Sequence, residues 1–213
     1  MIHSQTFRSL GCTLAFCATA TVAGQTVTSA GNSVMQFEDG THGVSFEYPS
    51  RWSFAVAPSF YSPLAITSEY APLRGDVSVK GFPGIAKWPV TDLDGAEFGY
   101  AERDSISSDE CRRLASLASN DNGATLDRRT IGGVVFSHGR GANGGMSHEV
   151  EEDIYTTSSG NGCLLFDLAV HYLVAPSATQ TPRSLSAHEL AEVSQALNKI
   201  LLSVRVERAK PAN

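Results

Sequence analysis

Short alternating segments open the readable part of the chain. Met35-Gln36-Phe37-Glu38 alternates apolar with polar residues and runs into a turn at Asp39-Gly40. Val44, Phe46 and Tyr48 then share one face, Pro49-Ser50-Arg51 interrupts, and Trp52-Ser53-Phe54-Ala55-Val56 resumes the period of two. That alternation predicts half-buried strands joined by a tight turn. Residues 57–75 hold three prolines and a possible short strand at Leu64-Ala65-Ile66-Thr67, and Asp76 to Phe82 alternates again. Asp92 to Arg103 reads as a helix, with Asp94 and Glu97 suiting an acidic first turn. A second helix is announced by the capping-box pattern Ser107-x-x-Glu110 and places Cys111, Leu114, Leu117 and Ala118 on one face. A meander follows: strands over 125–131, 133–138, Met146–Thr156 and Cys163–Val174, with Gly-rich loops at 139–145 and 157–162. After a Pro/Ser/Thr loop, Ser186-x-x-Glu189 opens a last helix. Its Leu190, Val193, Leu197, Ile200 and Leu201 recur at helical spacing, and Val204 and Val206 suggest a short closing strand.

Strands, helices, strands, helix is the order of an α+β protein: an antiparallel β-sheet flanked by helices, with an amphipathic C-terminal helix. No repeat or linker divides it, so a single domain is expected over 35–208, between a mobile tail at 24–34 and a C-terminal tail at 209–213. The segment Gly43-Val44-Ser45-Phe46-Glu47-Tyr48-Pro49-Ser50-Arg51-Trp52 resembles the opening hairpin of PsbP-like proteins, where a Tyr-Pro-x-x-Trp turn joins the first strands. The meander and the final helix look similar too. The resemblance implies an α/β/α sandwich and a family that includes accessory subunits and exported lipoproteins; it carries over no set of functional residues. On the residues alone, Pro49 sets the turn while Tyr48 and Trp52 pack in the core.

The N-terminus changes the picture from fold to address. Residues 1–7 are polar, Arg8 is a lone charge, and small and apolar residues run from Leu10 to Thr21-Val22-Ala23. This predicts a signal peptide over 1–23, cleaved near Ala23, and a periplasmic or extracellular protein. The run is too short and too rich in Thr, Gly and Ala for a transmembrane anchor, and Cys17 has poor lipobox neighbours. No other stretch is apolar enough to span a membrane. The full chain carries 16 Lys+Arg against 22 Asp+Glu, a net charge of −6. With no basic cluster beyond Arg112-Arg113 and Arg128-Arg129, nucleic acid is excluded as a partner, and an envelope or extracellular protein is the expected one. Once the signal peptide leaves, Cys111 and Cys163 remain. An oxidising compartment favours a disulfide between them, the alternative being a reactive thiol pair.

Candidate chemistry is sparse. Gly139-Arg140-Gly141-Ala142-Asn143-Gly144 fits GxGxxG, but a strand rather than a helix follows, so a hairpin loop is expected instead of a nucleotide site. Walker A, GxSxG and HExxH patterns are absent, which weighs against an enzyme. Ser137-His138 and Ser147-His148 are adjacent pairs whose side chains point to opposite faces, so neither makes a dyad. His138 and His148 flank the Gly-rich loop and form a conceivable zinc pair, although a zinc site needs three or four ligands. The strongest candidate is an acidic strand face. If the last two meander strands pair so that residue numbers sum to 320, Glu149, Glu151, Asp153, Asp167 and His171 share one face. Asp153 then faces Asp167, and Val150 and Ile154 join the apolar face. Oxygen ligands with one imidazole suit a divalent cation or acid–base work, whereas the plainer reading is a solvated, charged sheet face. Glu152 shares parity with Val150 and Ile154, so either a bulge turns it out or it meets a buried partner. The sequence therefore supports a non-catalytic exported accessory or binding domain, with a metal-dependent hydrolase on the acidic face as the alternative and a structural envelope component as a third reading.

Overall fold

The computed structural model describes residues 20–22, 25–31, 33–56, 74–81, 88, 91–118, 126–145, 148–160, 162–173 and 182–207. Twelve strands form two sheets within these residues. The smaller sheet comprises β1 (Ala20–Val22), β2 (Gln25–Gly31), β3 (Val34–Asp39), β4 (Val44–Pro49) and β12 (Arg205–Val206), in that order. The larger sheet has the order β5-β6-β7-β11-β10-β9-β8. Its strands are β5 (Ser53–Val56), β6 (Arg74–Gly81), β7 (Leu93–Asp104), β8 (Leu126–Ile131), β9 (Val134–Gly145), β10 (His148–Ser159) and β11 (Gly162–Leu173). The strands pair antiparallel throughout. Helix α1 (Ser108–Leu114) continues into a 3-10 turn (Ala115–Ala118), and α2 (Ala187–Ser203) leads into β12. The mixed α+β architecture with its C-terminal helix is the one the sequence predicts. No helix among the described residues is long and apolar enough to cross a membrane.

Both sheets contribute one face to a common core. Phe37, Phe46 and Tyr48 of the smaller sheet meet Phe98, Tyr100, Phe136 and Phe166 of the larger, and Val193, Leu197, Ile200 and Leu201 of α2 join them. Edge-on and tilted rings interlock at short range, with centroids 5.0 Å apart for Phe46–Phe98 and 5.8 Å for Phe136–Phe166. Burial of such side chains is the main favourable term, and truncating one to Ala costs about 3–5 kcal/mol. Tyr48 and Trp52 are core residues as expected, and Trp52 N–H donates to the Pro49 carbonyl at 2.9 Å to close the turn. The Trp52 ring lies over Gly81, where a Cβ would come within 2.0 Å of Trp52 Cε2. A second, smaller core on the other face of the large sheet gathers Ala101, Cys111, Leu114, Cys163 and Leu165. Cys111 and Cys163 are joined by a disulfide there, pinning α1 to β11.

Both capping-box sequences sit at real helix starts, although only the second forms the full reciprocal pair. Ser107 accepts from Glu110 N–H, and Ser186 and Glu189 satisfy each other's backbone donors reciprocally. Other expectations need correction. Asp92–Arg103 is not a helix: β7 runs through it as a central strand. Gly95 and Gly99 would each cost a helix about 1 kcal/mol, and Ala96, Phe98 and Tyr100 alternate into the core. Residues 25–31, expected in a mobile tail, form β2, and Val27 is buried against the core. The 139–145 segment is no loop but the second half of β9. Its hairpin with β8 turns at Gly132 and Gly133, whose φ values of 58° and 81° suit a type I′ turn. The possible strand at Leu64–Thr67 and most of the expected signal peptide lie outside the described residues, although β1 falls within 1–23.

Candidate functional site

The five residues expected on one acidic face are divided between two. β10 and β11 pair with residue numbers summing to 321, one more than expected: Ile154 faces Asp167, Val150 faces His171, and Asp153 faces Leu168. A one-residue slip exchanges the faces of a strand. Glu149, Glu151 and Asp153 therefore share the face of Leu168, Val170 and Tyr172. Asp167 and His171 lie on the opposite face with Val150, Glu152 and Ile154. The premise of a solvated polar face fails as well, because Cys163 to His171 are buried on both sides. Asp167 and His171 instead flank Ala169, whose neighbours across the sheet are Glu97 and Glu152. All four are buried, His171 Nε2 lies 3.5 Å from Glu97, and Lys80 closes on Glu97 at 3.5 Å. No bulge turns Glu152 out. This polar patch inside the sheet was hidden because Glu97 stands in the segment read as a helix.

Asp153 is committed elsewhere. His138 lies between two carboxylates, its Nδ1 2.8 Å from Asp127 and its Nε2 2.8 Å from Asp153. The ring stacks on Tyr155 at 4.4 Å, and Arg129 pairs with Asp127 at 2.8 Å. The hydrogen bond to Asp153, only partly opposed by burial and reinforced by Asp127, raises the His138 pKa above its ordinary value. In return the His138 hydrogen bond lowers that of Asp127. Burial pushes the Tyr155 hydroxyl up to about 12. With both ring nitrogens engaged by carboxylates, His138 clamps β8, β9 and β10 together. His148 pairs with Gly145 at the far end of the hairpin, so the two histidines do not form a zinc pair.

A second histidine is held in a similar way at one end of the sandwich. Asp39 ends β3; its Oδ1 accepts from Thr41 N–H at 2.9 Å and His42 N–H at 3.2 Å. Its Oδ2 meets His42 Nδ1 at 2.8 Å and accepts from the Tyr100 hydroxyl at 3.1 Å. His42 Nε2 reaches across to Glu102 of β7 at 2.9 Å, and Asp104 stands beside it. Burial opposes the charge on His42, but the Asp39 hydrogen bond and the surrounding carboxylates raise its pKa. Burial of Asp39 works against ionisation, yet His42 and Tyr100 hold its carboxyl below the usual range. Glu102 is raised, first by burial and then by Asp104 and Asp39 against the pull of His42. Sequence reasoning missed this cluster because its two halves are 60 positions apart and one lay in the misread helix; Asp39-Gly40-Thr41-His42 as a side-chain-capped turn was the available signal.

A concavity of about 480 Å3 lies at the other end of the β3–β4 hairpin. One wall is the Tyr48-Pro49-Ser50-Arg51 turn with Val34, and the other is the last turns of α2 with Ala196, Lys199, Ile200 and Ser203. Ser203 Oγ accepts from Glu47 N–H at 2.8 Å and so covers the β4 edge just where β12 stops. Arg51 and Lys199 line the two walls, and among the described residues neither has a carboxylate within ion-pair distance; Glu47 also stands on the rim. The volume falls within the range of small-molecule sites.

Comparison with known proteins adds little to this geometry. No family model matches the chain, and no curated protein sequence is similar to it. Among solved structures, LpqN, involved in cell envelope biogenesis of Mycobacterium tuberculosis, is 12% identical with a TM-score of 0.43, covering 76% of this chain and 82% of that one. A protein of Bacteroides thetaiotaomicron is 11% identical with a TM-score of 0.38 over 78% of this chain. This chain spans only 46% of that protein's length. Neither likeness transfers a residue or a role.

Proposed function

We propose that the protein is an exported, non-catalytic binding domain whose ligand is a small amphiphile with an anionic group, held in the groove between the Tyr48–Arg51 turn and α2. The observation that carries this reading is the pairing of an apolar lining (Val34, Pro49, Ala196 and Ile200) with two cations that have no carboxylate within ion-pair distance among the described residues. An apolar lining with a few placed charges is the usual composition of a ligand site. The Tyr48-Pro49-x-x-Trp52 turn, the feature that resembles PsbP-like proteins, forms one wall, so the same residues would serve both fold and binding. Export rests on the N-terminal segment and on the Cys111–Cys163 disulfide, a bond that persists in oxidising compartments. Cleavage near Ala23 would remove β1 and leave β2 at the sheet edge. The hydrolase alternative is set aside because its five residues do not share a face.

The test is titration of the mature chain with a fluorescent long-chain fatty acid, followed in the Arg51→Gln/Lys199→Gln double variant. Saturable binding to the wild type, weakened at least tenfold in a double variant of unchanged thermal stability, supports the reading. Absence of binding, or binding indifferent to the two cations, overturns it and leaves a protein partner as the occupant to seek.

A further inference from the structure

We infer that His42, Glu102 and Asp104 form a divalent transition-metal site, of the Zn2+ class, joining the β3–β4 turn to the end of β7. One ligand atom from each lies within 4.8 Å of the other two. Ligands of a single zinc ion, bound at about 2.0–2.1 Å, stand up to ~4 Å apart, so a modest swing of the exposed Asp104 side chain completes the set. Asp104 is the exposed member, hydrogen-bonded to Glu102, whereas His42 and Glu102 are held, the Glu102 side chain being only 6% exposed.

The residue behind the trio makes the arrangement specific. Asp39, 2% exposed at its side chain, fixes His42 Nδ1–H and thereby aims Nε2 at Glu102 and Asp104. This carboxylate–histidine–metal order is the one that orients metal-bound imidazoles and fixes their tautomer. Asp39 is in turn locked by two backbone N–H groups and the Tyr100 hydroxyl. Asp39, Glu102 and Asp104 bring three carboxylates together, and among the described residues no Lys or Arg lies within ion-pair distance of any of them. A dication answers that excess better than one imidazolium does.

Three protein ligands with one side open to solvent leave room for water on the ion. The imidazole selects against Ca2+ and Mg2+, which prefer oxygen ligands throughout. On binding, the Nε2–H bond of His42 is broken, the proton leaves to buffer, and a metal–nitrogen bond forms in its place. The site lies a full strand length from the groove, at the opposite end of β3 and β4, so the two readings stand or fall separately.

The mature chain, stripped with chelator, is titrated calorimetrically with Zn2+, Ca2+ and Mg2+, and with Co2+ by visible absorption. One Zn2+ per chain is expected, with Ca2+ and Mg2+ at least 100-fold weaker and a Co2+ ligand-field spectrum showing nitrogen and oxygen ligation. Asp104→Asn removes an exposed ligand without touching the Asp39–His42–Glu102 bridge and is expected to weaken Zn2+ at least tenfold. Asp39→Asn, a positioning change, is expected to cost 10–100-fold. Absence of stoichiometric binding, equal affinity for Ca2+, or Zn2+ affinity unaltered by Asp104→Asn in a variant of native thermal stability overturns the site and leaves His42 as an inter-sheet ion pair.

Discussion

Gly139→Ala isolates what the Gly-rich stretch of β9 is for. Gly139 pairs with Ile154 and Leu126 in the large sheet, and the 3-10 turn after α1 lies directly on it. A Cβ at this position would stand 2.0 Å from the Ala115 carbonyl oxygen and 2.8 Å from its carbon. Ordinary contact needs ~3.5 Å, so the turn must retreat by about 1.5 Å. It has little freedom to do so: Ala115 is fully buried, and α1 just before it is tied to β11 through Cys111. Overpacking of this kind costs about 1–3 kcal/mol, and the obstacle here is backbone, so the upper half of that range is expected. Reduced freedom of the unfolded chain returns about 0.4–1 kcal/mol. A net loss near 2 kcal/mol lowers the Tm of a chain this size by roughly 4–8 °C. Gly133→Ala is the control: its φ of 81° imposes backbone strain, but nothing lies within 4 Å of the new Cβ. That strain costs about 1–2 kcal/mol and is only partly offset by the stiffer unfolded chain, so Gly133→Ala loses about 1 kcal/mol and is the milder change. Thermal and guanidinium unfolding of both variants decide the matter. A Gly139→Ala protein within 0.5 kcal/mol of wild type, or one more stable than Gly133→Ala, would refute the packing argument. If the glycines instead cradled a nucleotide, Gly139→Ala would lose affinity for ATP or NAD while keeping its stability.

Two further outcomes follow from the bonds described. Replacing Cys111 and Cys163 by Ala opens a loop closed across 52 positions, and the chain-entropy relation puts the loss at about 4 kcal/mol, read as a lowered denaturation midpoint with a larger m-value, because the unlinked unfolded chain exposes more surface. A loss below 1 kcal/mol would mean the bridge acts against native strain rather than on the unfolded chain. His138 has a raised pKa when folded, so its stabilisation is complete below its unfolded pKa near 6.5 and fades as pH rises through the higher folded value. Stability of the wild type is therefore expected to decline across neutral to mildly alkaline pH, and His138→Phe to lose that part of the slope. An identical slope in the variant would show that the Asp127–His138–Asp153 clamp contributes nothing through its charge.

Local chemistry was legible in the sequence. Ser107-x-x-Glu110 and Ser186-x-x-Glu189 mark true helix starts, Val193, Leu197, Ile200 and Leu201 line the buried side of α2, and Tyr48-Pro49-x-x-Trp52 is a turn between core aromatics. Each depends on residues within a turn or two of one another, so spacing suffices to read it. The cysteine pairing was legible for a different reason, since only two cysteines remain outside the expected signal peptide.

What needed the tertiary structure was everything set by burial on two faces. β11 is buried without a break from Cys163 to His171, so its sequence carries no parity to fix its register, and a slip of one residue separates Asp167 and His171 from the three acids of β10. β7 misleads for the same reason: a central strand covered on both sides has apolar residues at positions that also fit a helix, and only pairing with β6 and β11 decides between them. The candidate site shares that origin. Asp39 and His42 are a local turn, Glu102 and Asp104 the end of a distant strand, and the groove exists only where α2 crosses the end of the β3–β4 hairpin. The chain encodes each half locally, and the packing of two sheets on one core brings the halves together.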